Sequence, residues 1–281
     1  MIITARSSRI LQILKGRPLA QIQLAVQLRT LRLPLRNALK KASELGAAGI
    51  EIDLRNEIRP AELSQTGVRQ FRKMLTDLNL KICSASFPTR RGYQVLEDLD
   101  QRIAATKKAM DAAYQLGAPI LVNQIGKIPD DPESESWNLL TQAMIDLGTY
   151  GHKHGVVMTA KTGSEDAETL AGFIKSLPDG HLAVDFDPGA LVINGVSTED
   201  SFRCLAPMIR HVRAKDGVQD LARGRGIEVP LGRGSVDFPL LMAMLDDIRY
   251  QGYLTIEREN PENPVLEVEQ ALQYCRSLLP E

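Results

Sequence analysis

Side chains able to do acid–base or anion-binding chemistry cluster directly after short apolar runs of this 281-residue chain. Glu51 and Asp53 close the run Gly49–Asp53, and Asn123 and Gln124 close Ile120–Gln124. Lys161 follows Val156–Ala160, and Asp187 follows Leu182–Phe186. Arg213, Lys215 and Asp216 end or follow His211–Lys215, and Glu257, Arg258 and Glu259 do the same for Tyr253–Glu257. Carboxylates can move a proton at a carbon next to a carbonyl, and ammonium and guanidinium groups can grip a carboxylate or phosphate. Isolated buried charge costs several kcal/mol, so such groups must pair or bind ligand. One or two would be rim decoration. A set drawn from six runs points to a polar pocket for a hydroxylated or anionic small molecule, against the alternative of a solvated rim with local ion pairs.

The elements that carry these residues alternate in type. Apolar runs at Gln23–Leu28, Gly49–Asp53, Lys81–Ser86, Ile120–Gln124, Val156–Ala160, Leu182–Phe186, His211–Lys215 and Tyr253–Glu257 read as strands, with helix-period segments between them. Leu35–Leu45, Val68–Leu78 and Ile103–Leu116 place apolar residues three and four apart on one face. Leu45-Gly46, Leu116-Gly117 and Tyr150-Gly151 read as helix stops with Gly after the last periodic residue. Eight strand–helix units in succession imply parallel strands with right-handed crossovers. A single closed (β/α)8 TIM barrel in the α/β class explains their number better than an open sheet. No composition break divides the chain after residue 23, so the expected organisation is a short basic extension over 1–22 and one barrel over 23–281.

In such a barrel the chemistry sits at the carboxyl ends of the strands. His152, His154 and His181 precede strands and belong to the opposite end, despite the metal-like H-x-H spacing of the first two. His211 lies inside a strand and reads as a core or supporting histidine. Trp137 falls in an acidic loop and is expected either to line the pocket or to be buried.

Composition excludes several classes. There are 34 Lys and Arg against 35 Asp and Glu, 43% hydrophobic residues and 25% charged. That balance makes neither a nucleic acid nor a membrane the expected partner, and it is not that of a disordered chain. The charge is uneven, because the first 43 residues hold nine Lys or Arg and no acid. This stretch resembles a transit peptide in composition, but a short amphipathic tail is the favoured expectation. Three widely spaced cysteines, with no C-x-x-C, argue against a disulfide framework and for a reducing, cytoplasmic location.

Four motifs then carry a resemblance. Asp185-Phe186-Asp187-Pro188-Gly189, His211-Val212-Arg213-Ala214-Lys215-Asp216-Gly217, Leu231-Gly232-Arg233-Gly234-Ser235-Val236-Asp237-Phe238 and Gly252-Tyr253-Leu254-Thr255-Ile256-Glu257-Arg258-Glu259 are similar to those of the xylose-isomerase-like barrels. That superfamily contains sugar and sugar-phosphate isomerases and epimerases, and family 2 AP endonucleases. The resemblance spans about Gln23 to Leu279. It implies a divalent metal (manganese, magnesium, cobalt or zinc) held by a Glu after strand five, an Asp after strand six, a His after strand seven and a Glu ending strand eight.

Asp187 and Glu257 match that set. Lys161-Thr162-Gly163 stands where the family reads Glu-Thr-Gly, and His211-Val212-Arg213 where it usually reads His-Val-His. Ammonium and guanidinium offer no lone pair to a cation. The expectation is therefore no cofactor, with two cations and two carboxylates neutralising one another. The alternative is a divalent ion held by Asp187 and Glu257.

Glu257, Asp187 and Lys161 are then the candidate catalytic residues. Lys161 could act as a base or Schiff-base amine if desolvation depressed its pKa. Arg213, Lys215, Glu51, Asn123, Gln124, Arg223 and Arg233 are the candidate substrate-binding residues, the last two because Gly-flanked arginines in the loop after strand seven could hold a phosphate. Three functions compete. They are a sugar or sugar-phosphate isomerase or epimerase, a non-catalytic sugar- or anion-binding barrel derived from one, and, weakest, an endonuclease. The partner is a small molecule in the first two, and assembly with like chains stays open.

Overall fold

The computed structural model describes residues 22–163, 165–219 and 226–279. Period-two patterning places eight parallel strands in a closed barrel: β1 (Gln23–Gln27), β2 (Gly49–Asp53), β3 (Lys81–Ser86), β4 (Ile120–Asn123), β5 (Val157–Lys161), β6 (Ala183–Phe186), β7 (Ile209–Ala214) and, closing against β1, the strand Tyr253–Ile256. Outside the barrel run α1 (Leu35–Glu44), α2 (Gln65–Asp77), α3 (Leu99–Leu116), α4 (Glu135–His154), α5 (Ala167–Ser176), α6 (Pro188–Ile193), α7 (Thr198–Leu205), α8 (Phe238–Asp247) and α9 (Pro264–Leu278). The expected (β/α)8 barrel is the observed fold. No described helix is long and apolar enough to cross a membrane.

Alternation along the strands separates two interiors. Ile50, Ile52, Val184, Phe186, Val212, Ala214, Leu254 and Ile256 are buried and pack against the helix layer. Their neighbours in sequence, Glu51, Asp185, Arg213, Thr255 and Glu257, are buried as well and belong to the barrel lumen. In a barrel of this type the lumen is filled by aliphatic side chains. Here it is polar and charged. Two register irregularities, at Ile50/Glu51 against β3 and at Val184/Asp185 against β7, fall directly before Glu51 and Asp185. Such irregularities re-aim side chains at a sheet's functional end.

The helices follow their caps and apolar faces. Ser64, Ser134 and Asp166 accept backbone N–H bonds at the starts of α2, α4 and α5, each cap contributing about 1 kcal/mol. The apolar face of α2 buries Val68, Phe71 and Leu75, as its spacing requires.

Three expectations are corrected. Gly151 does not end α4, which continues to His154 and stops at Gly155, with φ 67°. Gly151 instead permits close approach, since a Cβ there would lie 2.4 Å from the Val156 carbonyl oxygen. Trp137 is not in a loop but in the first turn of α4, edge-on to Phe173 at 5.3 Å and packed on the core. The stretch after β7 is not only loop. Within it β8 (Asp216–Val218) and β9 (Ile227–Val229) form a small antiparallel pair, so the strand that closes the barrel is β10.

Candidate active site

At the carboxyl end of the barrel, β5, β6, β7 and β10 deliver Lys161, Asp187, Arg213 and Glu257 into one cluster. Lys161 Nζ donates to both oxygens of Glu257 at 2.9 Å and lies 3.0 Å from Asp187 Oδ2. The last contact is an ion pair without hydrogen-bond alignment, and it leaves Asp187 Oδ2 with no hydrogen-bond donor. Asp187 Oδ1 is occupied at the start of α6, where it accepts from Ala190 N at 2.9 Å, with Pro188 at the first helical position. Gly189 is required beside it. A Cβ there would lie 2.6 Å from the Lys215 backbone, which accounts for the Asp-Pro-Gly motif.

Arg213 lies one layer deeper and is only 1% exposed. Its Nε donates to Asp185 at 2.7 Å, and Nη1 donates to Glu257 at 2.7 Å and Glu51 at 3.0 Å. Nη2 completes a two-pronged grip on Glu51 at 2.8 Å. Gln27 and Ser84 also donate to Glu51, each at 2.7 Å. His211 Nδ1 meets Asp185 at 2.6 Å, and its Nε2 meets Thr255 Oγ1 at 2.8 Å. Lys215 bonds Glu259 at 2.5 Å and stands 3.9 Å from Asp187.

These contacts set the ionisation. Burial pulls the Lys161 ammonium down, but Glu257 and Asp187 outweigh it and raise its pKa above the ordinary lysine value. The depression on which a base or Schiff-base role depended is therefore absent, and Lys161 is a fixed cation at neutral pH. Burial pushes Glu257 up, yet Arg213 and Lys161 hold it well below the usual carboxylate range. The same opposition, with Arg213 and His211 prevailing, brings Asp185 down to about 2. Burial lowers His211, but the Asp185 charge and hydrogen bond lift it to about 10. Four cations (Lys161, His211, Arg213 and Lys215) thus face four buried carboxylates (Glu51, Asp185, Asp187 and Glu257).

The other candidates divide. Asn123 is buried and donates to Tyr93 Oη at 3.0 Å, whereas Gln124 is exposed. Glu51 and Arg213 are beneath the mouth, saturated by each other and by Gln27, Ser84, Asp185 and Glu257, and neither presents a free group to a ligand. Arg223 lies outside the described residues. Arg233 is exposed, and the glycines beside it do not present amides to a phosphate. Gly232 N and Gly234 N both donate to Asp216 Oδ2, at 3.0 and 2.8 Å, while Gly217 N and Val236 N donate to Oδ1. Asp216 is therefore the anchor of that loop.

Sequence reading missed Asp185 and did not assign His211 its partners, although their alternation with Phe186 and Val212 was the available signal. It also missed Glu57. Burial, helped by Asp53 and Glu51, pushes this carboxyl up to about 7 while it accepts from Asp53 N at 2.8 Å.

A divalent ion held by Asp187 and Glu257 would need the position Lys161 Nζ takes, within 3.0 Å of three of their oxygens. An ammonium there cannot ligate and repels a cation. The donor set does not fit a metal.

A closed (β/α)8 barrel with its ionisable cluster at the carboxyl ends of β5, β6, β7 and β10 defines the class. A family model described as "Xylose isomerase-like TIM barrel" matches residues 39–278, and the chain belongs to that family. It is 27% identical over 269 residues to fructoselysine 3-epimerase of Escherichia coli O157:H7, covering 89% of this chain and 95% of that one. It is 24% identical to an inosose dehydratase of Clostridium botulinum, covering 73% and 78% of the two chains. Among solved structures, a xylose isomerase domain protein from Planctomyces limnophilus superposes with TM-score 0.81 at 24% identity, covering 93% of this chain and 98% of that one. A xylose isomerase-like TIM barrel protein from Mycobacterium smegmatis, solved in complex with magnesium, gives 0.71 at 20% identity, with 92% and 98% covered. These relatives include enzymes that act on sugars and related polyols.

Proposed function

We propose that this protein binds a sugar, sugar phosphate or related polyol at the carboxyl end of the barrel and acts on it as an isomerase or epimerase without a divalent metal. Lys161 Nζ is the group that meets the substrate's carbonyl or hydroxyl oxygen. One observation carries this: the ammonium occupies the place between Asp187 and Glu257 and keeps 15% of its side chain exposed, whereas Arg213 below it keeps 1%. A fixed positive charge aimed at a developing oxyanion stabilises it much as a Lewis acid does. Glu257 and Asp187 hold the ammonium in line, and Arg213, itself fixed by Glu51 and Asp185, holds Glu257 directly. The free cysteines and the sugar-directed relatives support a cytoplasmic setting.

A second reading, binding without turnover, is favoured by the low pKa of Glu257, because a carboxylate paired with two cations is a weak proton acceptor. Incubating the protein with ketoses and ketose phosphates in D2O, with excess EDTA, separates the two. Deuterium appearing next to the carbonyl, and lost in Lys161→Met, supports turnover. Ligand-induced thermal stabilisation without exchange supports the binding barrel. Exchange abolished by EDTA and restored by manganese refutes metal independence.

A further inference from the structure

Beside the barrel mouth, between the segments that follow β2 and β3 and the start of α3, lies a cleft of about 620 Å³. Six cations line it: Arg55, Arg59, Arg90, Arg91, Arg102 and Lys108. Asp98 is its one lining carboxylate. Outside the lining, Arg59 pairs with Glu62 and Arg91 with Glu97, both on the surface. With those three carboxylates counted, three positive charges stay uncompensated. Among the described residues no carboxylate pairs with Arg55, Arg90, Arg102 or Lys108.

The cations differ in what holds them. Arg55 is fixed by donating to the Pro88 carbonyl at 2.7 Å, with its guanidinium 5.6 Å from the centre of the Phe87 ring. Arg102 is fixed by the carbonyls of Val95 and Glu97, and its Nε is buried with no partner. An unpaired buried donor is costly unless something supplies an acceptor. Arg59 and Arg90 are exposed at the rim. Pro60, Ala61 and Ala105, with the edge of Phe87, form an apolar floor. Thr89, in the same wall, bonds the Gln124 carbonyl, so the cleft adjoins the carboxyl end of β4.

We infer that this cleft binds a phosphorylated small molecule, its phosphate held by the guanidinium groups and its apolar or ring portion lying on Pro60, Ala61, Ala105 and the edge of Phe87. Guanidinium forks match phosphate oxygens, and a dianion suits an uncompensated charge of this size better than a single carboxylate does. The floor adds a requirement that free phosphate does not meet. The inference does not depend on the function proposed for the barrel mouth.

Phenyl phosphate, a dianion on a ring, is the probe, titrated by calorimetry at low ionic strength against inorganic phosphate. One molecule per chain should bind, more tightly than inorganic phosphate and more weakly as NaCl is raised. Arg59→Glu with Arg90→Glu, both exposed and outside the core, should weaken it about tenfold or more, from the loss of charge-assisted bonds. Arg233→Glu should leave it within about twofold. Absence of saturable binding, equal affinity in the double variant, or loss in Arg233→Glu would overturn the assignment. Equal affinity for inorganic and phenyl phosphate would overturn the role of the floor.

Discussion

Replacing Lys161 by Met tests the idea that an ammonium ties the barrel mouth together. The side chain keeps its length, and only the charge and its donors go. In the native protein Nζ lies at 2.9, 2.9 and 3.0 Å from three carboxylate oxygens. Without it, the cation left to Asp187 is Lys215 at 3.9 Å, beside the Ala190 N–H bond to Oδ1, while Glu257 keeps Arg213 at 2.7 Å. Removing one partner of a buried pair costs about 3–5 kcal/mol, and the surviving cations place this case near the lower end, at about 3 kcal/mol at pH 8. That is a large share of the roughly 5–15 kcal/mol by which a domain is stable.

The loss should depend on pH, with a definite sign. Glu257 is held well below its ordinary value in the folded protein. Its contribution is present above the unfolded pKa, near 4.5, and fades as pH falls through the folded one. Without Lys161 the folded pKa rises, so the gap between the variant and the native protein is widest at pH 8 and narrows below about pH 5. Urea midpoints at pH 8, 6 and 4 measure it, and a shift of about 1 M at pH 8 with an unchanged slope is expected. A variant as stable as the native protein at pH 8, or a gap that does not narrow in acid, would refute the reasoning.

Two further outcomes follow from the same cluster. Lys161→Glu with Arg213→His should lower stability in metal-free buffer and create a site for one manganese per chain. Manganese at about 100 times its dissociation constant should then return about 2.7 kcal/mol, read as a rise in melting temperature that the native protein does not show. For His211, the folded pKa of about 10 lies above the ordinary histidine value of 6.5. Its stabilisation is complete below about 6.5 and is lost as pH rises toward about 10. Imidazole nitrogen shifts of His211 should stay those of the doubly protonated ring at pH 8, and a neutral ring there would contradict the Asp185 pairing.

The barrel was legible because its determinants are local. Apolar runs of four to six residues, such as Lys81–Ser86 and Tyr253–Ile256, and amphipathic segments, such as the one that became α2, state their own period. The helix end at Gly151 was misjudged because a glycine can serve a close contact as well as a stop.

Which residues gather at the carboxyl ends of the strands also follows from that local pattern, and so does the substitution of Lys161 and Arg213 for ligands of the resembled family. Their partners do not. Arg213 and Glu51 are 162 residues apart and meet only because the barrel closes and the register irregularities before Glu51 and Asp185 turn both acids toward the same guanidinium. Whether desolvation depresses the Lys161 pKa is not legible in the sequence, because the number of carboxylates around a buried ammonium decides the sign. That number exists only once β5, β6, β7 and β10 stand in that order around one lumen. The sequence determined the fold and the inventory of charges. The tertiary structure decided their pairing, because Coulomb energy depends on distances that no local pattern encodes.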